Sequence, residues 1–70
     1  MTQVINFPKT EGYYTATIVY NDGTIEKITV QAQIDSQQGM CVYEMSGYRL
    51  TNTDKKSITF KKNISLFNRR

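Results

Sequence analysis

The stretch "YYTATIVYNDGTIEKITVQAQI", residues 13 to 34, constrains the fold more than any other part of the chain. Two runs of β-branched and aromatic residues flank Asn21-Asp22-Gly23, an order of strand formers, turn formers and strand formers that specifies a β-hairpin. The two loop lengths open to it predict different faces. A two-residue Asp22-Gly23 loop sets Asn21 opposite Thr24 and mixes Tyr14 and Ile18 with Lys27, Thr29 and Gln31. A three-residue loop, with a type I turn through Asn21 and Asp22 and Gly23 at the left-handed bulge position, sets Tyr20 opposite Thr24 instead. Tyr14, Ala16, Ile18 and Tyr20 then share a face with Ile28, Val30, Ala32 and Ile34. Thr15, Thr17, Lys27, Thr29, Gln31 and Gln33 share the other, together with Tyr13, Val19 and Ile25, which would make a compact apolar spot there. A one-residue slip moves every side chain to the opposite face, so the separation of apolar from polar residues selects the three-residue loop.

The flanking segments extend this hairpin into a sheet. Pro8 keeps "TQVINF" out of a central ladder, and "KTEG" reads as a turn. After Ile34 the segment "DSQQG" is open to two readings. Asp35 with Gln38 three residues on has the form of a helix start, and Ser46-Gly47 would close a short helix over 36–46. Gly39 inside that span, and the nearly continuous Met40, Cys41, Val42, Tyr43 and Met45 with no helical stripe, favour a turn at Ser36 to Gly39 and a strand from Met40 to Met45. Gly47 begins a turn into "YRLTN", and Asn52-Thr53-Asp54-Lys55 forms the next. The last strand is "SITFKKNISLF", where Ile58, Phe60, Ile64 and Leu66 share a parity that Lys62 interrupts. No linker, repeat or low-complexity tract divides the chain, so residues 1–70 are read as a single small domain with loose ends. The expected fold is mainly β: an antiparallel meander of four to five strands, curled into an SH3-like or Sm-like barrel, or covered by one short helix over 36–46 or by a second subunit.

At 70 residues, a single core is marginal without a staple. Cys41 is the only cysteine and the chain has no histidine, so neither an intrachain disulfide nor a usual structural zinc site is available. Oligomerisation remains, and a homodimer is the expected state. "MTQVINFPK" lacks the basic start and apolar core of a signal peptide, and no apolar run approaches the ~20 residues of a membrane span. A soluble, cytoplasmic protein without membrane contact is expected, and the sequon Asn63-Ile64-Ser65 is read as coincidental.

The net charge of +3 hides a division along the chain. Residues 1 to 48 carry two lysines against five carboxylates, a balance of −3; residues 49 to 70 carry seven lysines and arginines against Asp54, a balance of +6. Catalysis finds little support: there is no histidine base, no close carboxylate pair, no phosphate-binding glycine loop, and Cys41 reads as a small buried hydrophobe. A non-enzymatic module without a cofactor is therefore expected. Basic strands combined with accessible tyrosines suit nucleic acid, through phosphate contacts and base stacking. The candidate residues are Arg49, Lys55, Lys61, Arg69, Arg70, Tyr13 and Tyr48, with Tyr43 also within reach and Lys55 and Lys61 expected to point away from the core together. The alternative is an accessory protein of the kind phages and mobile elements encode, which binds and modulates a host protein through an open sheet edge.

The segments "ATIVYNDGTIEKITV", "CVYEMSGYRL" and "SITFKKNIS" loosely resemble the strand pattern of WYL-type domains, Sm-like barrels of bacterial regulators that sense nucleic acid or ligand. The resemblance covers residues 16 to 65. The tryptophan of the naming motif is absent and Ile58 stands where an arginine is expected, so no functional residue is carried over.

Overall fold

The computed structural model describes residues 1–63, which form β1 (Gln3–Ile5), β2 (Gly12–Tyr20), β3 (Ile25–Asp35), β4 (Gly39–Glu44) and β5 (Lys55–Lys62), with no helix among the described residues. The expected core positions Ile64 and Leu66, the sequon serine, Arg69 and Arg70 lie outside them.

The hairpin adopts the three-residue loop. Tyr20 N–H donates to Thr24 O at 2.8 Å and Gly23 N–H to Tyr20 O at 2.9 Å, and the pairs Tyr14↔Val30, Ala16↔Ile28 and Val19↔Ile25 follow from that closure. Gly23 has φ 93°, the left-handed geometry the bulge position requires. Asp22 accepts Thr24 N–H at 2.9 Å, and these bonds to Thr24 hold its carboxyl below the ordinary aspartate range. A second turn repeats the device: Gly47 N–H donates to Glu44 O, Glu44 N–H to Tyr48 O, and Gly47 has φ 101°.

Residues 36–46 are not helical. They form a turn and β4: Gly39 takes φ 81°, a left-handed backbone that a helix interior does not admit, and the Asp35 carboxylate accepts Gln37 N–H at 3.3 Å within the turn. The five strands make one sheet in the order β1-β5-β2-β3-β4. The meander runs through β2, β3 and β4, all antiparallel. β5 then crosses back to pair antiparallel with the other edge of β2, and β1 joins β5 in parallel. A simple meander would have set β5 against β4. That edge is taken by the chain itself, since Leu50 N–H donates to Val42 O at 3.0 Å and Tyr43 bridges Arg49. The Asn52–Lys55 turn then reverses the chain, and Asn21 N–H donates to Asp54 O at 3.0 Å, which docks this turn on the hairpin loop.

The mixed sheet curls into a half-barrel compatible with a small SH3-like or Sm-like barrel. Its concave face holds a cluster of Tyr14, Ala16, Ile18, Val30, Ala32, Val42, Ile58 and Phe60, with Tyr20, Ile28, Met40 and Leu50 packed against it. Burial of each Ile or Val here contributes about 1.5–3 kcal/mol. Ile34, expected in this set, is 60 % exposed; it lies past Gly12↔Ala32, where the β2 ladder ends. Phe7 packs edge-on against Phe60, with ring centres 5.6 Å apart. Lys62 occupies a core-face position opposite Tyr14. Its stem carries the ammonium to 5.7 Å from the ring centre and 2.9 Å from Thr10 Oγ1, which resolves the break in the apolar parity of β5. Among the described residues no helix is long and apolar enough to cross a membrane.

Candidate nucleic-acid interface

The outer face of the sheet is built from the alternate residues that the core rejects. Directly paired residues project to the same side, so the register can be read across the strands as rows. One row runs Tyr13 on β2, Gln31 on β3, Tyr43 on β4 and Arg49 on the segment beside β4. Asn63, just past β5, donates its N–H to Tyr13 O at 2.9 Å and begins that row. The adjacent row is Lys61, Thr15 and Thr29; the next is Thr59, Thr17 and Lys27. Tyr13 is 49 % exposed, Gln31 and Tyr43 are half-buried, and Arg49, Lys61 and Lys27 are exposed.

This face carries an excess of positive charge among the described residues. The outward positions of the five strands present Lys27 and Lys61 beside the Arg49 row, and Asp35 at the tip of β3 is the carboxylate among them. Its Oδ1 is engaged by Gln37 N–H, and nearby Glu11 accepts Ile34 N–H at 2.8 Å. Glu44 pairs with Val30 and Glu26 with Ile18, positions of the concave side. Glu26 accepts the Tyr20 hydroxyl, which raises the tyrosine above its ordinary pKa. Arg49 donates through Nη1 to Gln38 Oε1 at 2.7 Å, so its plane is held while other N–H groups of the fork stay available. This pair lies beside Cys41, whose Sγ is 3.7 Å from Gln38 Oε1. Cys41 is buried although it pairs with outward-facing Gln33.

The sequence candidates divide. Tyr13, Lys61 and Arg49 share the outer face. Lys55 does not join them: a register shift between the Val19 and Tyr20 pairs sets it opposite Tyr20, with its ammonium 5.7 Å from that ring. The expectation that Lys55 and Lys61 point away from the core together is thus corrected, because the bulge inverts parity at the start of β5. Tyr48 is 75 % exposed but lies opposite Glu44, on the other side of the sheet from Tyr13. Arg69 and Arg70 fall outside the described residues. The expected spot of Tyr13, Val19 and Ile25 is also divided: Val19 faces Ile25, while Tyr13 stands six residues along β2, ~20 Å away. Sequence reasoning reached Tyr43 without ranking it and missed Gln31 and Lys27. Their signal is the β2–β3 alternation that already sets both on the Tyr13 face; Tyr43 alone needs parity counted through the β3–β4 turn.

Two concavities lie off the centre of this face. A notch of about 430 Å³ at the hairpin tip is bordered by Asp22 and Asp54, an unsuitable lining for an anion. A cleft of about 180 Å³ opens at the seam of the half-barrel, lined by Val4 and Phe7 and by Met40, Val42 and Leu50, and Arg49 of the outer row also borders it. Comparison with protein-family models, curated proteins and solved structures finds no match.

Proposed function

We propose that the chain is a non-enzymatic binding domain that holds nucleic acid against the outer face of its sheet. The observation that carries this reading is the row Tyr13, Gln31, Tyr43 and Arg49, flanked by Lys61 and Lys27. Cations supply phosphate contacts and tyrosines supply flat apolar surface on one solvent-facing side. The test is a titration of labelled single-stranded and duplex oligonucleotides at two salt concentrations. Three phosphate contacts from Arg49, Lys61 and Lys27 give a slope of log affinity against log salt of about −2 on single strands and about −3 on duplex. Replacing Arg49 and Lys61 together by Gln flattens the single-strand slope by about 1.4. Absence of binding at low salt would sink the reading.

A second reading, a protein-interaction module of the accessory type that also self-associates, is favoured by the open seam. Val4 and Phe7 remain 41 % and 44 % exposed on its lip, and β1 leaves one edge of the sheet unpaired within the described sheet order. Light scattering tests it: twice the monomer mass in the wild type, reverting to the monomer mass with Phe7→Ser, supports a homodimer closed through the seam. A monomer at every concentration removes that support.

A further inference from the structure

We infer that the ligand is an unpaired strand laid across the β-strands, with one base on the Tyr13 ring, another on the Tyr43 ring and the intervening nucleotide over Gln31. This rests on the reading just given and specifies its ligand. Tyr13 and Tyr43 stand at the same level on β2 and β4, with β3 between them, so their backbones are ~10 Å apart. Successive bases in a stacked duplex strand are only about 3.4 Å apart, and their faces are covered by neighbours. A duplex therefore cannot use the two rings, whereas a splayed strand meets both at once.

The surroundings fit the same path. Lys61 stands near Tyr13, on the β5 side, and Arg49 beside Tyr43 at the far end. A strand that follows the row thus enters and leaves over positive charge. Gln31 presents an amide donor and an acceptor between the rings, able to meet the edge of any base. Thr15 and Thr29 lie alongside, with the Thr15 hydroxyl donating to Asn63 Oδ1 at 2.7 Å. Among the described residues this floor is short and polar, without a deep pocket that would select one base. The ligand class is single-stranded nucleic acid bound with little sequence preference, and matched ribo- and deoxyribonucleotide strands in the test establish which sugar is taken.

The decisive comparison uses the full chain and three probes of equal phosphate number: a thymidylate strand, an abasic strand and a duplex. Stacking contributes about 1–3 kcal/mol per base, so two bases give the thymidylate strand at least ~10-fold tighter binding than the abasic one. Tyr13→Leu and Tyr43→Leu each weaken thymidylate binding ~5-fold or more, while leaving abasic affinity and the salt slope unchanged. Tyr43→Phe retains the ring and wild-type affinity, which separates loss of stacking from loss of fold. Equal binding of thymidylate and abasic strands, or tighter binding of the duplex, overturns the inference and leaves the phosphate-binding reading standing. Failure to bind any of the three overturns both.

Discussion

Gly23 and Asp54 occupy left-handed backbone on the two sides of one contact, the Asn21 N–H to Asp54 O bond, with φ of 93° and 60°. A Cβ added at Gly23 would meet nothing within 4 Å, so the cost of Gly23→Ala is conformational rather than steric. It should come to about 1–2 kcal/mol. Asp54 already bears that strain as a side-chain-bearing residue, and Asp54→Gly relieves it, with an expected gain of up to about 1 kcal/mol. Urea unfolding midpoints check the pair: the first substitution lowers the midpoint, the second leaves it unchanged or raises it. The opposite order would mean that contacts, and not backbone geometry, decide the turn. Gly23 was legible in the sequence because alternation on both sides of Asn21-Asp22-Gly23 admits one loop length. The conformation of Asp54 was legible only as a residue type that tolerates turns, since no pattern around it registers a positive φ.

At the scale of the element, β5 shows where alternation informs and where it misleads. Ile58 faces Ile18 and Phe60 faces Ala16, all buried, as the apolar parity of the strand predicts. Lys62 continues the same parity and works as a structural lysine, bridging from Tyr14 to Thr10. Lys61, one residue away, faces Thr15 on the exposed side. Lys62→Ala should therefore cost about 1 kcal/mol, from a lost cation–π contact and an uncovered Tyr14 ring, and leave nucleic-acid affinity nearly unchanged. Lys61→Ala should do the reverse: stability within about 0.5 kcal/mol, with weaker binding and a shallower salt slope. Thermal unfolding and the salt titration together read both effects, and a common loss of stability and binding in both variants would remove the division of labour. A count of basic residues could not separate them. Nor could it place Lys55, because the register shift beside Tyr20 interrupts parity without any Gly or Pro to mark it.

At the scale of the molecule, the charge division along the chain maps only in part onto the sheet: Lys61 and Arg49 of the basic half face outward, while Lys55 and Lys62 lie on the concave side. The basic β5 is placed between β1 and β2 instead of at an edge, so Lys61 stands within the outer face while Glu26 and Glu44 are turned toward the concave side. That return of β5 was not readable from the strands themselves, since it depends on residues 48–50 occupying the β4 edge. Arg69 and Arg70 add two further charges, and replacing both by Gln takes the net charge from +3 to +1. Charges that act through the general field raise the affinity of every anionic strand alike and fade as salt shortens the Debye length. Arg69→Gln with Arg70→Gln should thus weaken thymidylate and abasic strands by the same factor at low salt, with the deficit vanishing near ~1 M, where screening acts within about 3 Å. The ratio between the two strands is set by the tyrosine row and should not move. A changed ratio would place these arginines in contact with the bases and extend the interface beyond the sheet.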